Sequence, residues 1–559
     1  MSLSSSDKMP TSLHIEGGHT DASTPGHHDI VLAGKSLGTT RLELANGDRI
    51  LIPTPSNDPN DPLNWTQRHK YFMAAIACAA ALLSNALAAG PTVAMVKIAK
   101  DFTDPMDIQK TSYFFSVTSL FQGISMFVWV PLINKFGRRP LYIIATTLYL
   151  ITAIWCAVAK EYNVELVGRF FIGFMAGGAE CLAPLTIADV FFLHERGRMM
   201  AAYTVFLSMG VAIGIIVDGI IDIGLHWRWM YWIWIILIGV LLAACVFGYE
   251  ETAYNRTSID EAHVIDDHSH HAFHHHEDKH EKHALPFVPT QAPPAPARKT
   301  YAQRMTFYTG IKTDESLWKM FYRPFGMIFL PAVFFAAWVF SVTIGFLVAI
   351  TSNFDAALSA PPYNFVSWKA GLCFFGGVLG SLIGIPMGGQ FSDWVCARAA
   401  RKNGGVFQPE MRLPAMAPCV ITGPLALVLY GVGIQHGLHW MVPTLGFFFL
   451  SLTICWATNV AMTYAIDVYK PVTGEVLVAI LAFKAIFGYA LAWGTNDWIA
   501  SQGYQNAFGQ MAAICAAFLL LWIPLYYYGE RLRHQSYEWR LMKALLWSAD
   551  RDDQMLVMD

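Results

Sequence analysis

The stretch Asn134-Lys135-Phe136-Gly137-Arg138-Arg139-Pro140 decides how this chain is read. It is a short basic turn between two long apolar runs, with no room for a domain beside it. About 250 residues later Gly389-Gln390-Phe391-Ser392-Asp393, followed by Arg398 and Arg401, ends another apolar run at the matching place. Lys and Arg in short loops resist translocation, so both turns mark the side that stays in the cytoplasm. A half-chain repeat of this kind puts one substrate site between two helical bundles.

Composition agrees. The chain is 54% hydrophobic and only 14% charged, with a mean hydropathy of +0.38, whereas a soluble domain carries roughly 25% charged residues. Its partner is the lipid bilayer, and no nucleic acid is expected. The nine Cys are scattered through apolar runs without a CxxC, as small core hydrophobes rather than a disulfide framework.

A spanning helix needs roughly 20 mostly apolar residues. By that criterion the sequence predicts twelve, at about 72–96, 112–133, 141–159, 164–190, 200–224, 229–249, 325–351, 369–391, 414–435, 440–465, 475–500 and 507–529. The expected fold is therefore an all-α membrane protein: a disordered cytoplasmic N-terminus (1–70), a six-helix bundle (71–249), a cytoplasmic linker (250–324), a second six-helix bundle (325–529) and a cytoplasmic tail (530–559). With both termini inside, the short inner loops hold Lys135, Arg138, Arg139, Arg196, Arg198, Arg398, Arg401, Lys402 and Arg412, and the outer loops fewer cations. The linker carries nine His between His263 and His283 and then a Pro-rich run, a composition that supports no core. His with acids can hold metal, yet the one His or Asp pair at i, i+4 spacing inside a predicted span is Asp218 with Asp222, with no His beside it, so no metal site is expected along the path.

The basic turn resembles the signature of the major facilitator superfamily, GxxxDRxGRR: Gly137, Arg138 and Arg139 match, Lys135 replaces Arg, and Val130 and Asn134 stand where the family has Gly and Asp. The second copy keeps Gly389 and Asp393. Arg169 in Gly168-Arg169-Phe170-Phe171-Ile172-Gly173 looks like the fourth-helix arginine motif, and Glu250-Glu251-Thr252-Ala253-Tyr254 like the end of the sixth helix in fungal drug:proton antiporters. Asn60-Asp61-Pro62-Leu63-Asn64-Trp65, Ala179-Glu180-Cys181, Asp189-Val190-Phe191-Phe192, Pro409-Glu410-Met411-Arg412-Leu413 and Tyr464-Ala465-Ile466-Asp467 resemble fungal polyamine and histidinol transporters. The resemblance runs from about 50 to 535, omitting the central loop. The fifth helix departs from the antiporter pattern: it has Gly210, Gly214 and Gly219 but no Pro, and Asp218 instead.

An ionisable group inside a bilayer costs at least a few kcal/mol and demands an explanation. Glu180 lies 11 positions beyond Arg169, ~16 Å along the helix and near mid-membrane. It can bind a cationic group, carry the coupling proton, or serve as a structural carboxylate. Lys484 sits at similar depth in the eleventh span, as a substrate contact, a partner for an acid, or a packing ion pair. Arg169 lies near the outer end of its span, where the resemblance implies proton coupling and the alternative is a side chain reaching water. Asp218 and Asp222 fall in the outer third of helix five, where water can reach them; Asp218 can hold a cation during entry or serve in proton coupling, and a solvated side chain is the alternative. Asn85, Asn459 and Tyr464 are polar residues on helices that the resemblance places beside the cavity; interhelical hydrogen bonds are the alternative. Gly137 allows a tight bend, and Arg138 and Arg139 can bond helix-end carbonyls or a carboxylate of the other half. With Gly389 and Asp393 they are the expected conformational gate, holding the inner face closed.

These features predict a secondary active transporter, not an enzyme, working as a monomer and driven by a proton gradient with no bound cofactor. Its cargo is a small organic molecule, with a polyamine or other organic cation favoured. Efflux or intracellular transport of a fungal metabolite or xenobiotic is the competing reading, and a non-transporting nutrient sensor the reading of another class. The plasma membrane is the expected location and an organelle membrane the alternative.

Overall fold

Six long helices make up the first half: α1 (Gln67–Ala89), α2 (Ile108–Phe136), α3 (Arg138–Val158), α4 (Tyr162–Val190), α5 (Leu193–Ile221) and α6 (Arg228–Gly248), with a short helix, Met95–Phe102, between α1 and α2. The computed structural model describes residues 40–41, 56, 58–102, 108–254, 297–403, 406–469, 472–539 and 545. A single residue, Gly137, joins α2 to α3, and its φ of +97° is a backbone that side chains other than Gly rarely adopt. The start of α3 is capped by Glu251: its carboxylate accepts from the Arg138 and Arg139 amides at 2.9 and 3.2 Å, satisfying donors that a helix start leaves open.

The second half repeats the plan less regularly. α7 is Pro331–Ser359. α8 spans Ser367–Lys402 and widens into a π turn at Pro386–Phe391. α9 spans Pro409–Gln435, and α10 spans Met441–Val468 with a π turn at Ile454–Thr458. Among the described residues eleven stretches are long and apolar enough to span, but the last, Thr473–Ser536, holds 64 residues. That is about 96 Å of helix, three times a hydrocarbon core of ~30 Å. It turns back at Gly503, φ +79°, giving α11 (473–502) and α12 (504–538). The twelve spans expected from sequence are thus present, most of them longer than the apolar runs alone indicate.

Burial separates inner from outer helices. α1, α4, α7 and α10 are mostly enclosed, whereas α6 turns Ile236, Val240 and Phe247 outward. The two halves meet where α2 lies along α11 and α5 along α8. Gly123 of α2 approaches the Ala482 backbone and the Ala485 methyl so closely that a side chain there would collide.

The end bearing the basic turns, assigned to the cytoplasm by the sequence, is called the inner end. Two ranges expected to lack structure are ordered where they are described. In the N-terminal 1–70, Thr40–Arg41 (β1) pairs antiparallel with Val406–Phe407 (β2). The Asp61 carboxylate accepts from Ser56 and from the Leu63 amide, which fixes the turn before α1. In the 250–324 linker, residues 297–323 lie against the inner ends. Lys312 N donates to Lys135 O at 2.9 Å, Arg304 pairs with Glu250, and buried Arg323 pairs with both Glu315 and Glu475 and donates to Leu545 O in the tail. The His cluster and the Pro-rich run fall outside the described residues.

Removing one partner of a buried ion pair costs roughly 3–5 kcal/mol, because a charge is left unpaired. Arg323→Met leaves two buried carboxylates and is expected to destabilise the protein by about that amount, read as a lowered unfolding temperature in detergent. An unchanged temperature contradicts the structural role of this cluster.

Candidate functional site

Toward the inner end of α4, Pro184 lacks the amide that would hydrogen-bond the Glu180 carbonyl, so the helix is loosened at Glu180. Glu180 is fully buried, and the Lys484 ammonium of α11 lies 2.9 Å from its Oε1. Gln122 of α2 donates to its Oε2 at 2.5 Å. The pair therefore joins the first half of the chain to the second at mid-membrane, across 304 residues. The two mid-span ionisable residues singled out by sequence are brought together; Gln122 was missed, although its only signal, a polar amide within an apolar run, is plain to see.

Around the pair is a cavity of about 50 Å³ lined by Asn85, Gln122, Val211, Ile344 and Thr351 among others. A cavity of this size with polar groups on its wall has room for water. Helices of both halves wall it. Contacts close it at either end: on the inner side Gly197 of α5 lies against the Asp393 carboxylate, and on the outer side Gly371 of α8 lies against the Ile215 carbonyl of α5. Glu180 is fully enclosed, and the Lys484 side chain is 12% exposed.

Asn85 lines this cavity, with its amide turned back to the Ala81 carbonyl at 2.9 Å. Asn459 and Tyr464 do not line it. Asn459 donates to Gly388 O at 2.7 Å and Gly197 O at 3.5 Å, tying α10 to α8 and α5 near the inner end. Tyr464 is buried within the second half against Phe335. Trp338 stacks on Phe518 at 4.1 Å and Trp456 meets Phe391 edge-on, both as packing.

Arg169 does not reach water. It pairs with Glu165 at 3.2 Å, lies over the Tyr231 ring and donates to Leu87 O, all inside the first half. Asp218 is likewise enclosed: Trp234 Nε1 donates to its Oδ1 at 2.8 Å. Asp222, a turn further out, pairs with Lys97 at 2.8 Å. Position along each helix suggests access to water for these residues, but neighbouring helices cover these faces to their ends.

The basic turn acts within its own half. Arg138 holds Asp189 at the end of α4 at 2.9 Å. Arg139 donates to Tyr249 O and Val246 O at the end of α6 and to Met305 O. Arg139 thus meets helix-end carbonyls, one of the two contacts expected from sequence, while neither arginine bonds the other half among the described residues. Gly389 and Asp393 do face the other half, against Ala201 and Arg198 and against Gly197 respectively. Asp393 also accepts from Arg412 at 2.8 Å. Among the described residues no group of three or more His, Cys, Asp or Glu is arranged to hold a metal.

A sequence profile described as the Major Facilitator Superfamily matches residues 73–491. An uncharacterized transporter of this type from Schizosaccharomyces pombe is 25% identical, with 87% of this chain and 88% of that protein covered. Protein HOL1 of Saccharomyces cerevisiae is 24% identical over 91% of this chain and 94% of its own. A solved structure of the proton:xylose symporter XylE superposes with a TM-score of 0.54 at 13% identity, covering 82% of this chain and 96% of that one. The chain belongs to the major facilitator superfamily: it is a multi-pass membrane transporter and not an enzyme.

A Cβ on Gly197 would stand 2.3 Å from Asp393 Oδ1. Gly197→Val is therefore expected to push α5 from α8 and raise labelling of inner-end cysteines by membrane-impermeant thiol reagents several-fold in inside-out vesicles. Unchanged labelling contradicts the closure assigned to this contact.

Proposed function

We propose that this protein is a proton-coupled transporter of a small organic molecule bearing a cationic group, with Glu180 receiving that group and Lys484 as the internal cation it displaces. The observation that carries the reading is the 2.9 Å Glu180–Lys484 pair, contributed by opposite halves and lining the enclosed cavity. In the empty protein the Lys484 ammonium satisfies a carboxylate that the membrane interior would otherwise penalise heavily. A substrate ammonium makes the same charge-assisted bond and releases Lys484, so binding alters the charged link between the halves. The halves then rock about the fixed site, exposing it to one side at a time. One chain supplies both members of the pair, which favours a working monomer. The resemblance to fungal polyamine and histidinol transporters supports the same charge class.

Proteoliposomes with an imposed pH gradient test this, using labelled spermidine as the cation, with an organic acid and an apolar drug as controls. Spermidine is expected to accumulate in preference to the controls. A hydrogen bond between charged groups contributes about 1.5–3 kcal/mol, so Glu180→Gln is expected to weaken spermidine binding roughly 10- to 100-fold. Preferential uptake of the acid, or unaltered spermidine affinity in Glu180→Gln, overturns the reading.

A further inference from the structure

We propose that Asp218 is the proton-carrying group of this transporter, separate from the Glu180–Lys484 pair that handles substrate; the inference rests on that reading for its coupling but not for its site. Asp218 is wholly enclosed on α5. Its Oδ1 accepts from Trp234 of α6, while its Oδ2, equally buried, has no hydrogen-bond partner among the described residues. No Lys or Arg pairs with it there. An unpaired carboxylate in such a place is costly, whereas a neutral acid needs no counter-ion. Oδ2 faces the Gly90 backbone, where an added Cβ would stand 2.1 Å from it.

The charged groups around it are accounted for. From α4 the Arg169 charge is felt through space, but its guanidinium is engaged by Glu165, which also receives the Tyr231 hydroxyl of α6. Further out on α5, Asp222 is held by Lys97, whose side chain is half exposed. Just beyond α1, the Gly90 backbone faces Oδ2. Glu180 is separately occupied by Lys484 and Gln122.

The surroundings also give the site two ways out. Gly90 is where the regular turns of α1 end and a tighter turn, Gly90–Ala94, begins. The preceding residue, Ala89, lines the central cavity. Oδ2 is therefore separated from the cavity by the α1 backbone, and from the outer end by one helical turn. A shift of α1 at this break uncovers the carboxyl toward one or the other. The chemistry is one O–H bond: a proton binds Oδ2 from the outer solution and leaves to the side reached through the cavity, or the reverse.

Infrared difference spectroscopy of the purified protein tests the site without any substrate. The parent is expected to show the C=O stretch of a protonated carboxyl at neutral pH, lost on raising the pH. Asp218→Asn, which keeps an acceptor for Trp234, is expected to lose that band, and Glu180→Gln to keep it. Trp234→Phe removes the donor to the Oδ1 carbonyl, so its band is expected at higher frequency; this second variant serves if Asp218→Asn fails to fold. In proteoliposomes Asp218→Asn should retain spermidine exchange at the parent's affinity but lose accumulation driven by a pH gradient. A parent without the band, or a band unchanged in Asp218→Asn, overturns the assignment. Failure of spermidine to move, with the infrared result as expected, overturns the substrate reading and leaves the proton site standing.

Discussion

Charge inside a bilayer has to be paid for by a partner, and the arrangement of this molecule is set by where those partners stand. Glu180 is fully enclosed and Lys484 nearly so, and each is tolerable because the other is 2.9 Å away. The two residues belong to different halves, so the halves cannot part at mid-membrane without water or a ligand replacing one of them. In the proposed transport cycle this contact joins binding to movement. The cavity beside the pair is small, about 50 Å³, as expected of a form in which protein groups satisfy each other.

The inner ends of the halves follow one scheme with a telling difference. At the start of α3, Arg138 holds Asp189 at the end of α4; at the start of α9, Arg412 lies beside Asp467 at the end of α10. Asn134 at the end of α2 meets Gly474 at the start of α11, and Asp393 on α8 meets Gly197 near the start of α5. The first half thus presents an amide where the second presents a carboxylate. A negative charge near a helix N-terminus is worth about 0.3–1 kcal/mol, so the α5–α8 contact carries an attraction that α2–α11 lacks. The ordered segment before α7 adds a different tie there, with Lys135 donating to the Glu315 carbonyl.

Much of this is legible in the sequence. Twelve spans can be counted because each needs about 20 apolar residues, and Glu180 and Lys484 stand out as charges far from any end. Their pairing cannot be read, since it depends on which faces two helices turn toward each other across 304 residues. Asn459 and Tyr464 do not line the cavity, since Asn459 is bonded to the Gly388 and Gly197 carbonyls near the inner end and Tyr464 is buried against Phe335, partners that the sequence of one helix does not reveal. Arg169 and Asp218 each lie toward the outer end of a span, which on sequence alone puts them within reach of water. Tyr231 and Trp234 from α6, Leu87 from α1 and Gly90 just beyond it cover them, and coverage by neighbours has no signature in a single helix.

The claim on which the account turns is that Glu180 and Lys484 act as one unit linking the halves. A double-mutant cycle in thermal and denaturant stability measures it most directly, with Glu180→Gln, Lys484→Met and the two combined. Each single variant leaves one buried charge unpaired and is predicted to lose roughly 3–5 kcal/mol, whereas the combined variant, carrying neither charge, should recover most of that loss. Losses that simply add, with no coupling between the two sites, would contradict the account.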